Sequence, residues 1–285
     1  IAQAYVPLLA PSQVSKELQD ALRLPEDPGK RLEALENWRR TAFSLLLSQE
    51  DNITAAALWA LTKGDEAGTN LLKAIAPYLD LRALWRVQES LYGQAARRAD
   101  AAGKQVEALS LLGNRANVLQ RLHRWDEAKL AYGQILDGSR TLAKTNPDAY
   151  LPNVAMTLNN LGALLAGLGE RETARDHYEE ALKIRRQLAQ RYPDAYLSYV
   201  ATTLNNLGIL LNGLGERATA RQHYEEALSI YAPLFQKYPR AFGHNLLVVL
   251  TGLRGVCVAL GHDARAKEIE KLTEKLTKGN GKPGG

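Results

Sequence analysis

From about residue 101 onward, apolar and small residues return at a fixed interval. Residues 147–182 read PDAYLPNVAMTLNNLGALLAGLGERETARDHYEEAL, and residues 193–228 read PDAYLSYVATTLNNLGILLNGLGERATARQHYEEAL. Pro147 and Pro193 stand 46 residues apart, and the same step of 46 relates every register of the two segments. Leu112, Leu158, Leu204 and Leu250 share one register. Leu122, Leu168, Leu214 and Leu260 share a second, and Ala128, Ala174, Ala220 and Ala266 a third. A turn position holds His123, Gly169, Gly215 and Gly261, and Pro147, Pro193 and Pro239 mark the joins. Between these marks the apolar residues fall at helical spacing. Each unit is thus expected to be a helix, a Gly-containing turn, a second helix and a Pro-containing turn. A period of this size is the mark of a solenoid, in which each unit buries its apolar face against the next. Strand signals, such as alternating β-branched runs or Asn-Gly hairpins, are missing throughout.

The first hundred residues are less regular. Pro7, Pro11, Pro25, Pro28 and Gly29 restrict helix in residues 1–29 to one short piece around 12–23, with Ser12 as N-cap. A longer helix is predicted from Lys30 to about Gln49, with Leu32, Leu35, Ala42, Leu45 and Leu46 on one face. Asp51 or Asn52 is placed to cap a helix over Ile53–Lys63 that stops at Gly64. Another runs from about Glu66 to Leu79, where Pro77 should kink or shorten it. Trp85, Tyr92 and Ala95 repeat the spacing of Trp125, Tyr132 and Ile135, so residues 84–95 read as the second helix of a degenerate unit. The expected organisation is an irregular helical segment over 1–100, a repeat array over 101–275 and a flexible polar tail over 276–285.

Within the array, small residues are expected where the helices of a hairpin cross. Gly162 and Gly208 on first helices would face Ala174 and Ala220 on second helices, with Tyr178 and Tyr224 as large knobs. Glycine inside a helix costs roughly 1 kcal/mol against alanine, so its recurrence calls for a packing reason. The pattern Gly162, Ala174, Tyr178, Ala181, repeated as Gly208, Ala220, Tyr224, Ala227, resembles the tetratricopeptide repeat. The likeness is clear over about 105–270 and faint over 66–100. It implies an all-α fold, a right-handed superhelix of antiparallel helical hairpins, with the irregular N-terminal part packed on its first unit. Family units are near 34 residues; here the extra length falls in the second helix (about 171–191) and the start of the first (about 195–203). Arg254 and Glu270 replace the Gly and Tyr in the last unit, which suits a terminal cap.

The phrase TLNNLG at 157–162 and 203–208, preceded by PDAY, is similar to repeats of kinesin light chains and of long-repeat bacterial signalling proteins. Residues 50–95 resemble the connector before the repeat array of bacterial STAND-type signalling ATPases. These resemblances imply a peptide or protein ligand in a concave groove lined by first helices. They also imply a nucleotide-binding domain upstream in a longer chain, since no G-x4-GK[ST] occurs in this one.

Composition narrows the classes. A hydrophobic fraction of 46% and a charged fraction of 24% are ordinary for a globular domain. The net charge of +5 is spread along the chain, so nucleic acid is not expected. One cysteine, Cys257, precludes an internal disulfide framework, and a reducing, cytoplasmic setting is the default. No apolar run approaches the ~18 residues of a membrane span, and no membrane is expected.

By the family register the groove-lining positions are Asn117, Gln120 and Arg121, then Met156 and Asn159, then Thr202, Asn205, Ile209 and Asn212, then Val248 and Thr251. Asn159 and Asn205 are the central pair, because an amide both donates and accepts and so can clamp an extended backbone. The alternative is that they bridge neighbouring hairpins. Arg121 would receive the acidic or polar end of the ligand, and Val248 the apolar end. Asn160 and Asn206 are read as structural. His177 and His223 lie one repeat apart, which is not a metal-ligand spacing, and no metal or cofactor is expected. Cys257 reads as a buried small hydrophobe. Glu179, Glu180, Glu225 and Glu226 read as solvated surface. No nucleophile elbow or HExxH motif occurs, so an enzyme is not expected. The functional expectation is a protein-binding repeat module that senses a ligand for a larger bacterial signalling protein; a free-standing adaptor or chaperone scaffold is the alternative.

Overall fold

The computed structural model describes residues 27–63 and 66–279. The helix expected at 12–23, the stop at Gly64 and the tail from residue 280 lie outside the described residues. All regular structure among the described residues is helical. The elements are α1 (Pro28–Ser48), α2 (Glu50–Lys63), α3 (Glu66–Leu81), α4 (Trp85–Ala101), α5 (Gln105–Arg121), α6 (Trp125–Thr145), α7 (Pro147–Gly167), α8 (Arg171–Arg191), α9 (Pro193–Gly213), α10 (Arg217–Lys237), α11 (Pro239–Ala259) and α12 (Asp263–Gly279). The chain divides into two compact units, Ile1–Ala131 and Tyr132–Gly285. In both units consecutive helices pack on one another in the manner of a helical-hairpin solenoid.

In the first unit, Leu46, Ala57, Leu61, Leu72, Ile75, Tyr78, Leu79 and Leu91 form the centre of the core. Tyr78 is fully buried, and its hydroxyl donates to Glu50 Oε2 at 2.7 Å. Arg82 Nε donates to the same oxygen at 2.9 Å and holds the Glu50 carboxyl below its ordinary range. Asp51 and Asn52 do not cap α2, because the helix already begins at Glu50. Pro77 is carried inside α3, which continues to Leu81.

The second unit explains its period by element lengths. Helices α7, α8, α9 and α10 have 21 residues each. Residues 168–170 join α7 to α8, and Tyr192 alone joins α8 to α9. Proline stands at the start of α7, α9 and α11, where its fixed φ suits the first turn and its missing N–H is not needed. Each hairpin turn closes in the same way. Glu170 N–H donates to Leu165 O at 2.9 Å and Gly169 N–H to Ala166 O at 3.2 Å; Glu216 with Leu211 and Gly215 with Asn212 repeat the pair. This is the Schellman ending, which requires a left-handed residue. Gly169, Gly215 and Gly261 supply it with φ of 85°, 84° and 72°. In the first unit Ala83 and His123 take the same conformation, with φ of 52° and 57°. Leu168, at the second leucine register, caps the helix and is 37% exposed, while Leu122, Leu214 and Leu260 in that register are half-buried.

The glycines of the first helices face tyrosine rings rather than alanines. A Cβ on Gly162 would lie 3.0 Å from the Tyr178 ring, and one on Gly208 would lie 2.9 Å from Tyr224. Tyr224 is also covered from the other side: a Cβ on Gly252 would meet its ring at 2.6 Å. Ala174 and Ala220 are fully buried beside these contacts. In the last hairpin the substituted pair meets as an ion pair, with Arg254 Nη2 2.7 Å from Glu270 Oε1. The second helices are tied across repeats as well. Arg140 Nη2 donates to both oxygens of Glu180 at 2.7 and 2.6 Å, and Arg186 Nη2 to both oxygens of Glu226 at 2.6 and 2.7 Å. Glu180 and Glu226 are therefore inter-repeat partners, not merely solvated charges.

Helix α11 is long and apolar enough by composition to cross a membrane, with a mean hydropathy of 1.4 over its best window. This differs from the sequence reading, because the run is interrupted by few charges. In the fold it packs between α10 and α12 and buries Leu246, Val249, Leu250, Leu253, Val256 and Cys257. Helix α12 runs to Gly279, so residues 276–279 belong to a helix and not to the tail.

Two stability outcomes follow from the turns and crossings. Replacing Ala83, which is exposed, by Gly should raise stability by about 1 kcal/mol, because the left-handed conformation no longer strains a Cβ. Gly208→Ala should destabilise by about 1–3 kcal/mol through overpacking against Tyr224, outweighing the gain in helix propensity. Gly213→Ala, whose Cβ meets nothing within 4 Å, should not destabilise. Denaturant titration of the three variants against the parent chain measures all of this.

Candidate functional site

The first helices of the second unit are α7, α9 and α11. Core leucines fix their buried side: Leu158 and Leu204 are fully buried, and Leu250 nearly so. On the other side stand large apolar residues that no packing demand explains. Met156 on α7 is 52% exposed, Tyr199 and Ile209 on α9 are 52% and 53% exposed, and Val258 on α11 is 54% exposed. Asn212 and Thr251 are exposed and Val248 is half-buried.

The two amides singled out in the sequence part company. Asn159 is buried, and its Oδ1 accepts from Arg185 Nη1 at 3.3 Å, Thr203 Oγ1 at 3.4 Å and Asn206 Nδ2 at 3.2 Å. Its expected role as an amide offered to a ligand is corrected: it bridges α7, α8 and α9. The structural role expected of Asn206 follows from the same bond. Asn205 is half-buried, and its Oδ1 is enclosed without a hydrogen-bond partner. Of the pair, it is the one whose acceptor is uncommitted. Thr202 is half-buried and engaged, donating to Ser198 O at 2.9 Å and sharing a 2.7 Å hydrogen bond with the Tyr231 hydroxyl.

In the first unit Asn117 is exposed and Gln120 half-buried. Arg121 is exposed and ion-paired with Asp80, so the cation expected to receive an acidic ligand end already has a carboxylate.

A different arginine is placed for that work. Arg185 on α8 is only 5% exposed. Its Nη1 donates to Asn159 Oδ1 and Thr203 Oγ1 and, at 3.0 Å, to the Tyr199 carbonyl. Its guanidinium lies 5.5 Å from the centre of the Tyr199 ring, a cation–π distance. All these partners are neutral. Burial pulls the guanidinium down to about 10, which leaves it charged at neutral pH. Arg185 lines a pocket of about 370 Å³ between α7 and α9, walled by Pro152, Met156, Leu188, Tyr196 and Tyr199. Tyr192, at the cap of α9, and Tyr196 and Tyr199 within it follow one another with ring centres 6.5 and 6.3 Å apart, which carries an aromatic surface to the pocket. Sequence reading gave Arg185 no role, although a signal was there. Its register holds Ser139 one repeat earlier and Tyr231 one repeat later, so a lone cation interrupts neutral residues.

The remaining chemistry-bearing residues are structural in their surroundings. His177 and His223 are lowered by burial, and the buried Cys257 thiol is raised by it. Among the described residues no group of three His, Cys, Asp or Glu is arranged to hold a metal ion.

Residues 107–187 and 200–233 match two family models, each described as a tetratricopeptide repeat. Both matched segments carry tetratricopeptide repeats. Solved structures agree in fold. BtubC (BKLC) from P. vanneervenii is 22% identical with a TM-score of 0.66, over 82% of this chain and 94% of that one. A Podosopora anserina putative kinesin light chain with nearly identical TPR-like repeats is 15% identical with a TM-score of 0.57, over 74% and 96%. A Rap protein complexed with Competence and Sporulation Factor is 15% identical with a TM-score of 0.53, over 97% and 73%. At these identities the likeness is one of fold. No curated protein matches the chain in sequence. Tetratricopeptide hairpins are, as a class, protein-interaction modules, and that broad assignment holds for this array.

Because Asn159 ties three helices together, Asn159→Ala should lower stability by about 1–3 kcal/mol, the cost of leaving buried donors unpaired. A urea titration of the variant checks this; an unchanged midpoint would mean that the bridge is dispensable.

Proposed function

We propose that the first-helix face of the tetratricopeptide array binds an extended segment of another protein, and that the chain performs no chemistry of its own. The observation that carries this reading is the row of large apolar side chains left exposed on successive first helices: Met156, Tyr199, Ile209 and Val258. Their exposure costs solvation that a bound partner would recover. Asn205 stands half-buried on the same helix as Ile209, with its Oδ1 enclosed and without a hydrogen-bond partner among the described residues. Thr251, Asn212 and Val248 extend the same surface along α9 and α11. Asn117 and Gln120 offer a comparable polar face on α5 of the first unit.

In its finer form the proposal makes the array the sensing region of a bacterial signalling protein of the STAND class, working in the cytoplasm. A nucleotide-binding domain would then precede it in the full chain. The sequence likeness of residues 50–95 to the connector of such proteins motivates this part. The Rap structure of similar fold is, by its own description, a complex with Competence and Sporulation Factor, which is consistent with a binding role for such hairpins.

The test is selection of peptides from a displayed random library on the whole chain, followed by affinity measurement on the parent and on the double variant Asn205→Ala, Ile209→Asp. Ile209 is exposed, so the double variant should fold, as thermal unfolding will register. Loss of binding by about tenfold or more is expected, corresponding to roughly 1.4 kcal/mol. Peptides that bind both forms equally would place the ligand elsewhere and sink the proposal.

A further inference from the structure

We propose that mild acid loosens the stacking of one repeat on the next in the second unit, through three histidines set against arginines of the preceding repeat. The second helices α6, α8 and α10 are tied in sequence by Arg140 to Glu180 and by Arg186 to Glu226. His177 lies one turn before Glu180, and His223 one turn before Glu226, so each imidazole shares the helix face that meets the arginine. His223 and Arg186 wall one cavity of about 430 Å³, together with Glu179, Lys183 and Leu207. Both imidazoles are half-buried. At the third contact a histidine stands in the place of the carboxylate itself. Arg175 pairs with Glu216, and one repeat later Arg221 Nη1 lies 2.8 Å from His262 Nδ1. A guanidinium only donates, so Nδ1 accepts there through its lone pair and carries no proton.

The surrounding charges decide what an added proton does. His177 is acted on by Arg140 of α6 and by Asp176 and Glu180 of its own helix. His223 is acted on by Arg186 and Glu179 of α8 and by Glu226 of its own helix, with Lys183 on the same cavity wall. Helices α7 and α9, which pack on α8 and α10, carry Asp148 and Asp194 as their only charged residues, both in the first turn. Helix α11 carries Arg240, His244 and Arg254, the last paired with Glu270. Beside His262 stand Asp263 and Arg221, whose Nε is 3.8 Å from Glu225, while Arg265 is paired with Glu268. Burial outweighs the nearby carboxylates and holds His177 and His223 below their ordinary 6.5. The folded chain therefore takes up these two protons less readily than the unfolded chain. Their part of the stability is whole above pH 6.5 and declines as the pH falls below it. Protonation of His262 removes the acceptor and sets two cations side by side. Carboxylates ordinarily titrate about two units lower, so the ion pairs still stand in that window. The first-helix face crosses the same layers, so a segment bound along it would be weakened with them. That consequence rests on the binding reading above; the acid response does not.

Hydrogen exchange on the whole chain at about pH 7.5 and about pH 5.5, expressed as protection relative to the unstructured rate at each pH, locates the response. Protection of α8, α10 and α12 should fall about tenfold between the two, the equivalent of one pK unit, while α3 of the first unit should change by less than about twofold. In the triple variant His177→Gln, His223→Gln, His262→Glu the fall should shrink to less than about twofold. His262→Glu alone, which copies Glu216, should restore α12 and leave the response of α8 as it was. A parent whose protection does not change with pH, or a triple variant that loses as much as the parent, overturns the proposal. Should the triple variant fail to fold at the higher pH, NMR titration of the parent imidazoles decides. His177 and His223 titrating below 6.5 uphold the proposal, and titration at or above 6.5 overturns it.

Discussion

The second unit depends on bare backbone meeting an aromatic ring. Tyr224 stands on α10 with Gly208 on one side and Gly252 on the other, and neither contact has room for a methyl group. The first of these sets the distance between the helices of a hairpin. The second sets how closely the next hairpin lies. One side chain thereby fixes both spacings of the solenoid, and its knob-and-gap geometry admits a single register along the helix. The Gly162 and Tyr178 pair repeats the first contact in the preceding hairpin. In the last described hairpin the pair becomes Arg254 and Glu270, which keeps the helices together through an exposed ion pair.

With that spacing fixed, the remaining features hold the hairpins in line. The Schellman turns end each first helix sharply, and the Pro at the start of the next first helix makes a one-residue connection feasible. Two helices of equal length with such short connectors leave little freedom in the stacking. The ion pairs from Arg140 to Glu180 and from Arg186 to Glu226 then run along the second helices, one repeat to the next. Exposed pairs of this kind contribute only about 0.2–1 kcal/mol each. Their value lies in direction: they favour the in-register neighbour over a shifted one.

The fold was legible because repetition multiplies a weak local signal. Helix bounds, turn residues and the worn last hairpin could be read from residues 101–275 by comparing registers. The crossing was misread in one respect: glycine was matched with alanine, the nearest small residue in the pattern, because sequence does not reveal how far a tyrosine ring reaches. The first hundred residues lack the period, so their helix starts, such as Glu50 in place of Ile53, had no second register to be checked against, and the Glu50–Tyr78 contact is one that no local rule announces. The site was less legible. Asn159 and Asn205 look identical in register, yet the partner of one is a unique arginine and the place of that arginine in the next repeat is a tyrosine. Repetition, which revealed the fold, concealed this difference.

That difference separates what the array needs in order to stand from what it carries in addition. Ser139, Arg185 and Tyr231 occupy one register on successive second helices, and all three are buried. A position that tolerates a hydroxyl, a guanidinium and a phenol has no single packing solution, so packing alone does not select arginine there. Of the three, arginine is the worst choice for stability, because desolvating its charge opposes folding while the neutral acceptors around Nη1 compensate only in part. The tyrosine joins the equivalent helices one repeat on, α9, α10 and α11, without that cost. Arg185 borders a pocket, whereas the Tyr231 hydroxyl is taken up by Thr202, Ser198 and Asn245.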